Sequence, residues 1–253
     1  MKIKNGSLPI EWDTEESRLY SEGRALESSV RKLGDMKEVL HDRRLAESGD
    51  MTQVLYYMHR DVRRERDAET FRNARRRYDI TVIPPATLGD ELVKTVGHYH
   101  ELAPKGVSFT ELYEVLSGTA HFMIYRRKRI GGKDLDDRIA EAVLIEAKAG
   151  QKVFVPSDFG HVMINPSRDV LVTDNIVEWK FKSLYEPVGR MGGAPYFELV
   201  DGTAVKNARF AALPALEKVS ASAHAPTLGL KLGRDCIYDL FVRSPQGFGF
   251  LEP

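Results

Sequence analysis

Two histidines in the run Gly97-His98-Tyr99-His100 are the first residues of this 253-residue chain whose spacing could serve chemistry. Residues two apart on a β-strand point to the same face, so we expect His98 and His100 to aim into the interior of a barrel while Tyr99 points away. A His-x-His pair also occurs in many proteins that bind no metal. The pair alone is therefore weak evidence for a metal site.

Glu111 and His161 extend the pair to three imidazoles and one carboxylate. Glu111 begins a strand-like run in which Tyr113 shares its face, and His161 follows the strand and turn KVFVPSDFG. Such a mixed nitrogen and oxygen donor set suits Fe(II), Mn(II), Ni(II), Co(II) or Zn(II), and suits calcium poorly. We expect one divalent transition metal ion per subunit, with a slight preference for Fe or Mn and with positions open to water or substrate oxygens.

The pattern of apolar, charged and turn-forming residues changes along the chain. Residues 79–203 contain short apolar or alternating runs, from ITVIPPATLGD to APYFELVDG, separated by Gly, Pro, Asp and Ser. Evenly spaced strands of this kind predict an antiparallel sandwich or barrel. Residues 1–78 are charged and tolerate helices, and we interpret them as an extension packing on the barrel. Residues 204–253 form a second extension, in which CIYDLFVRS predicts another strand.

Composition limits the kinds of partner and the compartment. Lys+Arg and Asp+Glu both total 37, so no net charge attracts nucleic acid or an anionic membrane, and we expect neither partner. Residues 60–77 carry eight arginines among acidic residues, a pattern more typical of a salt-bridged face than of a phosphate-binding surface. The single Cys236 cannot form an intramolecular disulfide, and the first residues lack an apolar targeting core. We therefore expect a cytoplasmic protein.

Two motifs in the correct order resemble those of the cupin superfamily. The first is carried by Gly97, His98, His100 and Glu111, with six residues between Glu111 and Gly118. The second is carried by Gly150, Pro156, His161 and Asn165 in the run GQKVFVPSDFGHVMIN. The resemblance implies a mainly β cupin fold, a double-stranded β-helix or jelly-roll barrel. By analogy with that fold we also expect a homodimer.

The resemblance narrows to the archaeal-type, cupin-fold glucose-6-phosphate isomerases over about residues 25–200. It is carried by SVRKLGDM, VLYYM and ITVIPPATLGDELVKTVGHYH. In that family the four motif residues ligate a divalent metal, which implies this role for His98, His100, Glu111 and His161. The implied substrate contacts are Tyr56, Thr81, Thr95, Gly97, Tyr113 and Tyr185. Because Tyr57 adjoins Tyr56, a second register exists at that position.

Two departures from the family pattern concern the surroundings of the site. The stretch ELAPKGVSFT between His100 and Glu111 is longer than in compact members, and Ser183-Leu184-Tyr185-Glu186 stands where those have His-Asp-Tyr-Gly.

Gly97 has two interpretations: its backbone N–H cradles a phosphate, or its small size relieves crowding on a strand. Tyr113 likewise is either a hydrogen-bond donor to the sugar or an ordinary barrel aromatic.

The resemblance implies interconversion of glucose 6-phosphate and fructose 6-phosphate, a reaction of glycolysis and gluconeogenesis, through an enediol-type intermediate. In this interpretation Glu111 is the acid/base and Tyr113 donates a hydrogen bond or relays a proton. Proton transfer and hydride shift both remain open. Two other classes of function stay as alternatives: an Fe(II) cupin dioxygenase and a non-catalytic cupin that binds sugar phosphates.

Overall fold

The computed structural model describes residues 1–224, 228, 232–233 and 235–252, and strands dominate it. Its strand content is 44% against 15% helix, which confirms the mainly β prediction. The strands are β1 (Lys2–Ile3), β2 (Ile10–Asp13), β3 (Arg18–Ser21), β4 (Arg24–Ala25), β5 (Ser29–Lys32), β6 (Val54–His59), β7 (Arg76–Ile83), β8 (Thr87–Leu88), β9 (Glu91–Leu92), β10 (Tyr99–His100), β11 (Glu111–Ser117), β12 (Thr119–Ile130), β13 (Lys133–Lys148), β14 (Lys152–Val155), β15 (Phe159–Ile164), β16 (Leu171–Glu178), β17 (Ser183–Leu184), β18 (Tyr196–Glu198), β19 (Ala204–Lys206) and β20 (Glu217–Ser220).

The helices are short. They are α1 (Leu45–Ser48), α2 (Ala68–Ala74), α3 (Glu186–Arg190) and α4 (Ile237–Arg243), with 3-10 helices at Leu33–Met36, Glu65–Asp67 and Pro245–Leu251. Within the described residues, no helix reaches the length and apolar character that crossing a bilayer requires.

Two sheets form a β barrel. One has six strands in the order β14-β11-β16-β7-β6-β5, and the other has four in the order β15-β12-β13-β20. Neighbouring strands are antiparallel except β13 and β20, which run parallel. Side chains of both sheets, Val115 from one and Phe122 and Val162 from the other, share one buried core. This two-sheet architecture, with neighbours distant in sequence, confirms the predicted cupin-type barrel.

The six-stranded sheet is buried on both faces. Along β11, Tyr113 and Val115 belong to the core between the sheets, whereas Leu112 and Leu116 belong to a second core on the outer face. The N-terminal strands, represented by Trp12, and helix α4 cover that outer face. Burial on two faces explains why β11 carries apolar side chains on both sides, Leu112 on one and Val115 on the other.

A buried carboxylate fixes α4 to the outer face. Glu114 of β11 accepts the backbone N–H of Ile237, the first residue of α4, at 2.7 Å. Lys152 donates to the same carboxylate at 3.2 Å. An N–H in the first turn of a helix has no partner within the helix, and a carboxylate satisfies it well. Helix α4 is therefore bonded to the strand that also carries Glu111.

The predicted extension of residues 1–78 contributes strands to the barrel itself. Strands β5 and β6 continue the six-stranded sheet beyond β7, and Met58 of β6 lies opposite Thr81 of β7. Ahead of them, β1 to β4 form a small sheet of their own. The division into three segments stays a prediction, but residues 29–32 and 54–59 lie within the barrel sheet rather than packing on it from outside, because their backbones pair with one another and with β7.

The strand prediction for CIYDLFVRS is wrong, because residues 237–243 form helix α4. Ile237, Tyr238, Leu240 and Phe241 are buried together in the second core, at the spacing of one face of a helix. Aromatic and β-branched side chains such as these have an intrinsic preference for β-strands. Packing against the outer face of the sheet overrides that preference here.

Ion pairs occupy the arginine-rich region of residues 60–77. Arg60 and Arg77 both contact the buried Asp79, at 2.5 and 2.9 Å. Arg64 contacts Asp67 at 2.8 Å. These contacts agree with the interpretation of the run as a salt-bridged face.

Candidate metal centre and substrate cavity

A close approach of two chain segments positions His98. Its backbone exchanges hydrogen bonds with His161 of β15, at 3.2 Å for the N–H of His98 and 3.0 Å for the N–H of His161. The preceding Gly97 has φ of +82°, and a Cβ there would lie 2.4 Å from Cγ2 of Val162. Glycine is therefore required for this approach, which supports the crowding interpretation of Gly97.

Of the other three candidate ligands, two come from the two sheets of the barrel and one from the short strand β10. Glu111 is the first residue of β11 in the six-stranded sheet, and His161 lies on β15 in the four-stranded sheet. His100 lies on the two-residue strand β10, which pairs with β17. Tyr99 points away from the cluster as predicted, but it is buried against Tyr125 rather than exposed.

Ligand atoms of His98, His100, Glu111 and His161 all lie within 4.8 Å of one another. Nε2 of His98, Nε2 of His100 and Oε2 of Glu111 are buried and have no hydrogen-bond partner among the described residues. Buried polar atoms normally have a hydrogen-bond partner, so three converging atoms without one fit a bound cation. The four side chains form a cluster that could hold a metal ion, and we call it the ligand cluster.

Hydrogen bonds outside the ligand cluster orient two of its members. Nδ1 of His100 lies 2.8 Å from the backbone carbonyl of Phe109, which fixes the proton on Nδ1 and leaves the lone pair on Nε2. The amide of Asn175 donates to Oε1 of Glu111 at 2.6 Å. Oε2 of Glu111 remains 3.2 Å from Nε2 of His100 and 3.5 Å from Nε2 of His161.

Protonation states in the ligand cluster suit a cation. Burial lowers the pKa of His98 well below its ordinary value, and the neighbouring His161 and His100 add to the effect. Burial also lowers the pKa of His161, to about 4, against the attraction of Glu111. Burial raises the pKa of Glu111, but His100 and His161 outweigh it, so that this pKa is lowered. Neutral imidazoles and an ionised carboxylate are the forms that bind metals.

A cavity of about 510 Å³, part of it open to solvent, adjoins the ligand cluster. Its walls include all six residues predicted to contact substrate: Tyr56, Thr81, Thr95, Gly97, Tyr113 and Tyr185. His98, Glu111 and His161 also line it, whereas His100 belongs to the ligand cluster without lining the cavity. The structure thus brings every predicted site residue to one place.

Hydroxyl groups are held at defined positions around this cavity. The hydroxyl of Tyr56 accepts the backbone N–H of Val96 at 3.3 Å, and that of Thr95 accepts the N–H of Met163 at 3.1 Å. The hydroxyl of Tyr113 lies 3.0 Å from Nε2 of His161. These contacts leave each hydroxyl able to bond a further polar group.

The sequence-based prediction did not include several residues of the cavity. Met58, Arg60, Met163, Asn175, Phe181 and Ser183 line it, and Arg31 adjoins it through Tyr185. Asn175 lies opposite Tyr113 in the pairing of β16 with β11, a neighbour relation that only the sheet register reveals. Ser183, at the position where compact family members have histidine, pairs with His100 through the backbone.

The cupin-type barrel with a buried cluster of three histidines and a glutamate defines the class of this protein as a cupin with a candidate metal centre. The family model described as Glucose-6-phosphate isomerase (GPI) matches residues 30–214, and the chain belongs to this family. The match confirms the resemblance drawn from the motifs.

A curated relative has the same description. The chain is 30% identical over 141 residues to the glucose-6-phosphate isomerase of Thermococcus litoralis, and the match covers 54% of this chain and 62% of that protein. Among solved structures, oxalate decarboxylase from Bacillus subtilis is 17% identical, with a TM-score of 0.36 over 56% of this chain and 31% of the other. Vicilin from Capsicum annuum is 12% identical, with a TM-score of 0.35 over 51% and 30%.

Proposed function

We propose that the protein is a metal-dependent aldose–ketose isomerase that interconverts glucose 6-phosphate and fructose 6-phosphate. The observation that carries this proposal is a single cavity in which the ligand cluster adjoins the hydroxyls of Tyr56, Thr81, Thr95 and Tyr185. A phosphorylated sugar requires both polar partners for its hydroxyls and a centre that stabilises charge at its reacting carbons. Membership of the GPI family supports the same substrate.

His98, His100, Glu111 and His161 would hold the metal. A divalent ion bound there would supply Lewis-acid polarisation of the oxygens on the reacting carbons. The mixed nitrogen and oxygen donors suit Fe, Mn, Ni, Co or Zn, and we retain the slight preference for Fe or Mn.

Glu111 is the proposed proton carrier between C1 and C2 of the sugar. Its lowered pKa keeps it ionised at neutral pH and able to accept a proton. Asn175 holds Oε1, so the carboxylate has one defined orientation at the cavity wall. Membership of a metal-ligand set weakens a carboxylate as a base, which makes the orientation by Asn175 more important.

Tyr113 is the proposed hydrogen-bond donor to the reacting part of the sugar. Burial raises its pKa well above the ordinary value, and the charge of Glu111 adds to this, so the hydroxyl keeps its proton. Its oxygen lines the cavity next to His161, within reach of a bound substrate. A neutral hydroxyl there can stabilise charge that develops on a sugar oxygen.

An anaerobic assay with fructose 6-phosphate, in metal-loaded and chelator-treated protein, tests the proposal. We expect conversion to glucose 6-phosphate without oxygen, loss of activity in chelator and recovery on adding Fe(II) or Mn(II). A dioxygenase would instead require oxygen. A sensor would bind the sugar phosphate without converting it after reloading. Either outcome would reject the isomerase.

Oligomeric state and compartment remain expectations. The homodimer rests on analogy with the fold, and sedimentation of the metal-loaded chain tests it. The cytoplasmic location rests on the single Cys236, which is a free thiol, and fits a reducing compartment.

A further inference from the structure

We propose that the guanidinium of Arg31 anchors the phosphate group of the substrate and so selects phosphorylated over free sugars. This inference rests on the proposed isomerase function and assigns one end of its substrate to a residue outside the predicted site.

Arg31 lies beside the cavity, and it has no counter-ion within the part of the chain that the structure describes. Its Nε is buried and has no hydrogen-bond partner, and no carboxylate of the described residues lies within 4.0 Å of its guanidinium. A cation that is partly removed from water is costly unless an anion compensates it. An unpaired guanidinium at the edge of a ligand cavity therefore indicates that the anion arrives with the ligand.

Two tyrosines hold Arg31 in place. Its guanidinium carbon lies 5.3 Å from the ring centre of Tyr185, and the side chain of Tyr56 is close enough to affect its pKa. Burial lowers the pKa of Arg31, but these two tyrosines outweigh burial and raise it. Both tyrosines also line the cavity. Arg31 is thus charged and lies against the ring of Tyr185, one of the predicted substrate contacts in the cavity wall.

The other arginine near the cavity, Arg60, differs from Arg31 because it forms an ion pair. Arg60 lines the cavity, but it donates to the buried Asp79 at 2.5 Å, and Asp79 also binds Arg77. Arg60 therefore already forms an ion pair within the protein, although it shares that carboxylate with Arg77. Arg31 keeps its donors free for a ligand, and a guanidinium fork matches two phosphate oxygens at once.

The separation from the ligand cluster suits a sugar phosphate. The ring of Tyr185 lies 5.5 Å from the ring of His98 and 5.3 Å from the guanidinium of Arg31, so one aromatic ring connects the two sites. An extended six-carbon chain with its reacting end at the ligand cluster can place its terminal phosphate near Arg31. The two ends of the substrate would then be recognised by different groups.

Binding of glucitol 6-phosphate, which has no carbonyl and cannot isomerise, tests the anchor without catalysis. Calorimetry on the metal-loaded full chain should show a loss of affinity of about tenfold to a hundredfold for Arg31→Gln, and a smaller loss for Arg31→Lys, which keeps the charge but not the fork. Arg24→Gln, at an exposed arginine on β4, removes the same charge and should leave affinity unchanged. Unphosphorylated glucitol should bind wild type and Arg31→Gln equally.

Affinity of Arg31→Gln within about twofold of wild type, with normal metal content and melting temperature, would overturn the anchor. If Arg31→Gln fails to fold, Arg31→Met, which also removes the charge, takes its place, and unchanged affinity of that variant has the same meaning. In turnover, the anchor predicts a raised KM for fructose 6-phosphate with a smaller change in kcat. Wild type that binds glucitol 6-phosphate through Arg31 but never isomerises fructose 6-phosphate would reject the isomerase while keeping the anchor.

Discussion

The amide of Asn175 donates a hydrogen bond of 2.6 Å to Oε1 of Glu111 across two paired strands. Asn175 stands opposite Tyr113 in the register of β16 and β11, which makes Glu111 its diagonal neighbour on the same sheet. One carboxylate oxygen is thereby occupied by the protein, and the other remains among the imidazoles of His100 and His161. The sheet register itself thus orients a candidate metal ligand.

Replacing Asn175 should weaken the site without removing a ligand. For Asn175→Ala we expect isomerase activity and metal affinity to fall by about tenfold to a hundredfold, because the carboxylate loses its fixed orientation. Activity assays and metal titration of the purified variant measure both effects. Asn73→Ala, at an exposed amide on α2, is the control and should match wild type. Unchanged metal affinity in Asn175→Ala would contradict the orienting role.

Removing an imidazole should abolish metal and activity together. In His161→Ala the ligand cluster keeps three of its four members, and we expect bound metal and isomerase activity to drop in parallel, by more than about a hundredfold for activity. Elemental analysis and the fructose 6-phosphate assay provide the two readouts. His224→Ala, outside the cluster, should retain both. Full activity of His161→Ala in chelator would exclude a metal from the mechanism.

Gly97 should be sensitive to a single added methyl group. Gly97→Ala combines an unfavourable positive φ with a contact of 2.4 Å to Val162, and we expect the free energy of unfolding to fall by about 1–3 kcal/mol or more. Gly106→Ala is matched in backbone conformation, with φ of +85° and open space around the added carbon. Urea unfolding of the two variants separates the contact from the backbone strain. Equal losses in both would show that the approach to Val162 is unimportant.

Stability should decline with rising pH through a buried carboxyl on the outer face of the sheet. Burial raises the pKa of Asp174 well above its ordinary value, and the charge of Glu114 adds to this, while Tyr78 and Lys152 act in the opposite direction. The native state therefore holds a proton that the unfolded chain releases at lower pH. This contribution is complete below the ordinary carboxyl pKa of about 4 and is lost as pH rises through the native value.

Asp174→Asn should remove that dependence. The neutral amide keeps an oxygen that can accept from Tyr78 and needs no ionisation in the buried site. We expect its melting temperature to exceed that of wild type by more at about pH 8 than at about pH 5. Glu15→Gln, at an exposed carboxylate, serves as the reference. An equal difference at both pH values would mean that Asp174 does not titrate in this range.

The ligand cluster could be predicted from the sequence because its four residues lie in two short motifs with fixed spacing. Arg31 and Asn175 could not, since each reaches the cavity only through sheet pairing between segments far apart in the chain. Composition also could not assign β5 and β6 to the barrel sheet, because β6 joins the sheet by pairing with β7, and β5 in turn pairs with β6. For CIYDLFVRS, local preference opposed the tertiary packing that makes it a helix.

Strand β11 couples the tail of the chain to the chemistry of the cavity. Its alternate side chains supply Glu111 and Tyr113 to the cavity, while Glu114, facing the opposite way, is bonded to Ile237 of α4. Because a strand is stiff along its length, detaching α4 would release one restraint on the geometry at which the carboxylate meets the imidazoles. The C-terminal region would then govern turnover from a distance, although none of its described residues lines the cavity.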